Sequence, residues 1–373
     1  MNPVRRLSCG FLPRPARFPA LVALAAAVCV AAPLTGHARV TSVARVRHLP
    51  TLTVATQDDA LGKVQDRAYF QPFGRKEGIR VIRRVWDGQA ATLQAHAATE
   101  SRPATWALVF GEDSAIRAAC MQGSLVRLAG SADNPDGCGV PSMQPAIVLA
   151  WDRGWRPSPP RWADFWNVVR YPGKRGLRRD PRSTLEIALM ADGVPPQEVY
   201  GVLSTPEGID RAFRKLTQLR PYITWWSTPE ESARIVENGG VLMGSVFSNE
   251  IASLPSRRHD IGVQWTQSLG DRLSWALVHG TVPAMAGHAR DLLHYVVQPA
   301  QVNRFAALYP PGQVTGQIAG QVAGQGTGQA TAGSATAAAG GEPAVELPMN
   351  LEFWGAHLPD LSQRFADWLR GPA

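Results

Sequence analysis

Long apolar runs are scarce in this 373-residue chain. The one extended stretch, Phe18–Leu34, is interrupted by Pro33 and is short for a membrane span. Arg5, Arg6, Arg14 and Arg17 precede it, and the small residues of Gly36-His37-Ala38 follow. That order is the pattern of a secretory signal peptide over 1–38, with cleavage near Ala38 and a periplasmic destination. Catalytic signatures are missing too: there is no G-x-S-x-G, H-E-x-x-H, S-x-x-K or P-loop. His279, His288 and His294 fall close in sequence but lack metal-ligand spacing. Neither an enzyme, a cofactor nor a metal is therefore expected. Charge of one sign is also modest. Removing 1–38 takes away four arginines and no acid, so the net charge drops from +8 to +4. No basic stripe with interleaved aromatics remains, which excludes a nucleic-acid partner.

Cysteine is sparse, and its placement is informative. Of four cysteines, Cys9 and Cys29 fall within the signal peptide. Cys120 and Cys138 remain, 18 positions apart, and an even pair in an exported chain reads as a disulfide.

What is present is alternating apolar runs and helix signals. Leu52–Ala55 reads as a strand, followed by the polar loop Thr56-Gln57-Asp58-Asp59 and a helix with Leu61, Val64, Ala68 and Phe73 inward. Ile79–Ile82 and Trp106–Phe110 read as further strands, and the second leads through Gly111-Glu112-Asp113 into a helix. Ala146–Trp151 is a fourth run. Ser183 with Glu186 reads as a capping box ahead of Leu185–Met190. Thr205-Pro206-Glu207 and Thr228-Pro229-Glu230-Glu231 start two more helices. Tyr222–Trp226 and Val241–Gly244 flank the second of these, a βαβ unit. Ala289–Leu308 reads as helix. Such alternation predicts an α/β fold with helices on both faces of a sheet.

Asp58, Asp59, Glu112 and Asp113 each follow a strand and precede a helix. Ligands of open α/β sheets bind outside the carboxyl ends of strands. Acids there also satisfy helix N-termini, so each residue has a structural reading beside the functional one. Together they suggest a cation site. Trp226 and Phe247, both at strand ends, would supply aromatic walls for a methylene chain. Glu250 and Asp271 would offer carboxylates from the far side or the hinge. The densest basic cluster, Lys174, Arg175, Arg178, Arg179 and Arg182, reads as a solvated loop.

The wording of several stretches resembles one family. Asp164-Phe165-Trp166, Tyr171–Arg178 (YPGKRGLR), Thr184–Val194 (TLEIALMADGV), Thr205–Phe213 (TPEGIDRAF) and the pair Trp225-Trp226 occur here in that order. Leu52–Gln65, Cys138-Gly139-Val140 and Leu351–Leu369 extend the likeness over the mature chain. These phrases resemble the spermidine/putrescine-type branch of the ABC-transporter solute-binding proteins. The resemblance implies a two-lobe periplasmic-binding-protein fold of type II, with a ligand cleft between the lobes. It implies lobe one over 45–149, lobe two over 150–269, a return crossing with the rest of lobe one over 270–309, and closing helices over 345–373. Between them, 310–344 is a Gly-, Gln-, Ala- and Thr-rich insertion read as a flexible linker.

The implied function is capture of a small organic cation, a polyamine such as putrescine or spermidine, for delivery to an inner-membrane permease. The implied state is a monomer, and the basic cluster would then have a second reading as a permease-docking surface. Three loops depart from the family wording. Gln57-Asp58-Asp59 stands for W-G-G, Phe247–Ile251 for Y-N-G-R-I, and Gly270–Leu277 for Y-D-L-D-Y-W-A-I. The second family acid thereby falls on Leu273. A secreted hydrolase, or a sensor that kept the fold and lost its ligand, stay open as alternatives.

Overall fold

The structure is a computed structural model, describing residues 49–56, 60–128, 137–155, 158–253, 260–309 and 347–371. The expected signal peptide, the loop Gln57-Asp58-Asp59 and the insertion 310–344 lie outside these residues. Among the described residues, no helix is long and apolar enough to cross a membrane.

Two mixed sheets organise the chain. The first contains β1 (Thr51–Thr56), β2 (Arg80–Val85), β3 (Leu108–Glu112), β4 (Gly139–Met143) and β10 (Leu273–Leu277), in the order β2-β1-β3-β10-β4. β1 runs parallel to β2 and β3, whereas β10 is antiparallel to β3 and β4. All five residues of β3 are buried, as befits a strand covered on both faces. The crossover from β1 to β2 buries Leu61, Val64, Ala68 and Phe73, the inward face read from the sequence. It stops at Gly78, whose φ of 65° is the left-handed turn that glycine adopts without penalty.

The second sheet contains β5 (Ala146–Asp152), β6 (Arg175–Arg178), β7 (Ile223–Trp226), β8 (Met243–Phe247), β9 (Ile261–Gly270) and β11 (Leu347–Pro348), in the order β11-β9-β5-β8-β6-β7. The run Ala146–Trp151 thus belongs to this sheet rather than to the first. β7 and β8 are joined through a helix, as read, but they flank β6 instead of pairing with each other. The helix between them, Pro229–Glu237, starts at the expected Thr228 and is closed there by a capping box: the Glu231 amide donates to Thr228 Oγ1, and the Thr228 amide to Glu231 Oε2, both at 3.2 Å.

Two of the passages between the sheets run side by side. β4 leads into β5 through Pro145, and β9 leads into β10 through Asp271-Arg272. The Asp271 amide donates to the Pro145 carbonyl at 2.9 Å, which stitches the two crossings together. The run Ala289–Leu308 is split into two helices, Pro283–Val296 and Pro299–Leu308, because Pro299 cannot continue the first. The closing segment is one helix, Leu351–Arg370. It packs against both Asp113–Met121 and Pro181–Ala191, so it touches helices belonging to each sheet. Gly355 permits the close approach, since a Cβ there would meet Arg117 Cγ at 2.6 Å. Cys120, on the helix after β3, and Cys138, just before β4, are joined by a disulfide with Cα atoms 6.0 Å apart.

Two local readings are corrected. Helix Pro181–Ala191 is capped by Asp180, whose carboxylate accepts from the Arg182 amide at 2.9 Å. Ser183 sits inside that segment at φ 63° and does not cap it. Glu186 instead accepts from Tyr200 Oη and Trp354 Nε1, at 2.9 and 2.8 Å. The basic cluster is not a solvated loop either. Lys174 and Arg179 are exposed, but Arg175, Arg178 and Arg182 are buried. Arg175 is satisfied by the carbonyls of Phe165, Gly173 and Tyr171 at 2.6–2.9 Å. Burial lowers its pKa to about 10.

Candidate functional site

Four strand ends and one crossing converge where the sheets face each other. β3 ends in Glu112, β6 in Arg178, β7 in Trp226 and β8 in Phe247. Asp271 lies on the crossing between β9 and β10. All five side chains are buried. Gly111, beside Glu112, leaves room for the Trp86 ring, which would stand 2.4 Å from a Cβ at that position.

The centre of the cluster is an ion pair between the two sheets. Arg178 donates from both terminal nitrogens to Glu112, at 2.9 Å to Oε2 and 2.6 Å to Oε1. Such fork-to-fork pairing is the geometry by which arginine recognises a carboxylate. Arg182 reaches Glu112 Oε2 at 3.1 Å and holds Asp180 through two bonds of 2.8 Å. It also donates to the Gly88 carbonyl at 3.2 Å, and Gln89 Nε2 donates to Asp180 at 2.7 Å. The arginine side of the cluster has aromatic walls. The Arg178 guanidinium carbon is 5.9 Å from the Trp226 ring centre and 5.7 Å from that of Phe247, and the two rings meet edge to face at 5.9 Å.

Electrostatics separates the three acids. Burial alone would raise the Glu112 pKa, but the charges of Arg178 and Arg182 outweigh it and hold the carboxyl below its usual range. Asp180 is held down in the same way, chiefly by Arg182 against burial. Asp271 goes the other way: burial, and then the Glu112 charge, push it well above the ordinary carboxylate range. Its Oδ1 accepts from the Arg272 amide at 2.7 Å, while its buried Oδ2 has no hydrogen-bond partner among the described residues.

The acids expected from the sequence are therefore distributed unevenly. Glu112 and Asp271 enter the cluster together with Trp226 and Phe247. Asp113 is paired with Arg272, and burial raises its pKa. Glu250 forms a separate link, accepting from Asn249 Nδ2 at 2.9 Å and from Tyr309 Oη at 3.2 Å. Gln57, Asp58 and Asp59 lie outside the described residues. Arg178, Asp180 and Arg182 were not anticipated. The strand-end rule that picked out the acids covers them equally, because β6 ends at Arg178; their reading as a charge run obscured it. Among the described residues, no group of three or more His, Cys, Asp and Glu side chains could hold a metal ion.

Comparison with known proteins agrees with this architecture. The profile of the bacterial extracellular solute-binding proteins matches residues 68–315. A curated relative, the gamma-aminobutyric acid-binding protein of Pseudomonas aeruginosa, is 35% identical over 328 residues, covering 85% of this chain and 90% of that one. The binding protein MotA of A. tumefaciens B6, solved in complex with glucopine, superposes with a TM-score of 0.70 at 20% identity, covering 85% of this chain and 99% of that one. A spermidine/putrescine ABC transporter protein from Listeria monocytogenes superposes at 0.56 with 14% identity, covering 70% and 83%. The two superpositions carry the fold alone. The matched family and the relative from P. aeruginosa are binding proteins by description, which is consistent with a non-enzyme.

Proposed function

The chain belongs to the bacterial extracellular solute-binding proteins, components of ABC importers, and from that premise we propose that its ligand is a small zwitterion of the 4-aminobutyrate kind. The observation that carries this reading is the bidentate Arg178–Glu112 pair, walled by Trp226 and Phe247. A guanidinium over aromatic faces suits a ligand carboxylate, while Glu112 suits an ammonium. The polyamine expected from the family wording fits less well, because a dication would enter beside two buried guanidiniums. The relative from P. aeruginosa supports the zwitterion by its description.

We take the two sheets as lobes that close on the solute by bending at Pro145 and at Asp271-Arg272, after which the closed form is presented to a membrane permease. Calorimetry of the mature protein tests the ligand. 4-Aminobutyrate should bind, and putrescine and spermidine should not. Binding of the polyamines with none of 4-aminobutyrate would sink the zwitterion reading and leave the importer role standing.

A further inference from the structure

We propose that Glu112 determines specificity: as the internal counter-ion of Arg178, it admits a ligand carboxylate only when the same molecule brings an ammonium group to take the place of Arg178 at Glu112. This rests on the ligand reading above and goes beyond it, since the carboxylate and ammonium subsites become one exchange rather than two independent contacts.

The geometry supplies the reason. Both terminal nitrogens of Arg178 are engaged by Glu112, one on each oxygen. A ligand carboxylate can take that fork only by displacing Glu112. The displaced carboxylate has Arg182 within 3.1 Å, but Arg182 is already committed to Asp180 through two bonds. Water cannot compensate either, because Glu112 and Arg178 are 3% and 6% exposed.

Charge balance points the same way. Arg178 and Arg182 are matched one for one by Glu112 and Asp180. A zwitterion keeps that balance and replaces one ion pair with two. A simple carboxylate leaves an acid without a full partner in a dry site. An amine alone leaves Arg178 without one. Loss of one partner from a buried charge pair weakens binding by about a hundredfold or more.

The experiment titrates the mature protein and its Glu112→Gln variant with 4-aminobutyrate, butyrate and butylamine. The wild type should prefer 4-aminobutyrate over either singly charged analogue by about a hundredfold or more. In Glu112→Gln, which keeps the side-chain shape and removes the charge, Arg178 is released. Butyrate affinity should then rise, 4-aminobutyrate affinity should fall, and their ratio should shrink at least tenfold. A wild type that binds butyrate within tenfold of 4-aminobutyrate overturns the inference, as does an unchanged ratio in the variant. If Glu112→Gln does not fold, the wild-type series decides alone: the two charges must act together, with each single-charge ligand far weaker than their combination. Wild-type protein that binds 4-aminobutyrate with an unchanged ratio in the variant defeats this inference only. Wild-type protein that ignores 4-aminobutyrate defeats the ligand reading and the inference together.

Discussion

At the scale of the residue, Glu186 combines complete burial with two neutral donors. Tyr200 Oη and Trp354 Nε1 both bond to Oε1, while Oε2 is buried without a partner among the described residues. Burial raises its pKa from 4.5 to about 7. The folded state therefore retains a proton that the unfolded chain loses near 4.5. The resulting stabilisation is full below pH 4.5 and is lost as pH rises through about 7, a change of about 3 kcal/mol for this group. Glu186→Gln keeps an acceptor for both donors and cannot ionise. It should raise the melting temperature at pH 8 while changing little at pH 5, as followed by circular dichroism. An equal shift at both pH values would mean that Glu186 does not titrate in this window. Asp271, raised in the same direction, should leave a residual slope in the variant.

Among the elements, the helix Asp113–Met121 is tethered at three points. It follows Glu112 directly, packs on the closing helix at Gly355, and is tied at Cys120 to Cys138 ahead of β4. The bridge closes a loop of 18 positions, for which chain entropy gives a stabilisation of about 3 kcal/mol. Cys120→Ser with Cys138→Ser should lower the denaturant midpoint by a corresponding amount. Alkylation of the unreduced wild-type protein should label neither cysteine in mass spectra. Quantitative labelling of both would show that the bond does not form in the exported protein. Loss of the bridge acts on the segment that leads from β3 into this helix, so a modest fall in ligand affinity should accompany the loss of stability.

For the whole molecule, the two crossings set the expected behaviour. Asp271 joins the crossings through its amide, and its buried carboxyl lies within the field of Glu112, so the proposed bending and the proposed binding would share one residue. A ligand gripped from both sheets binds only the folded, closed form. At a free concentration of a hundred times its Kd, such a ligand stabilises by about 2.7 kcal/mol. Thermal denaturation with increasing 4-aminobutyrate should therefore raise the melting temperature steadily, with a far smaller effect from butyrate at equal concentration. A melting temperature that ignores every amino acid tried would argue that the folded form does not grip such ligands.

Local chemistry made much of the fold legible in the sequence. Thr205 and Thr228 cap their helices because a hydroxyl before Pro-Glu satisfies free amides wherever it occurs. The inward face of Leu61, Val64, Ala68 and Phe73 follows from helical spacing alone, and the strand ends that carry Glu112, Trp226 and Phe247 follow from apolar runs and turn signals. The sheet assignment of Ala146–Trp151, the insertion of β6 between β7 and β8, and the partners of Glu112 were decided only in three dimensions. The cause is the same in each case: strand order and ion pairing are set by residues distant in the chain, and local spacing carries no record of them. Arg178 and Arg182 show this most clearly. In sequence they belong to a run of like charge that water would solvate. In the folded chain they lie buried against Glu112, 66 and 70 positions earlier, because Glu112 from the opposite sheet, together with Asp180 beside Arg182, supplies the carboxylates that make their burial tolerable.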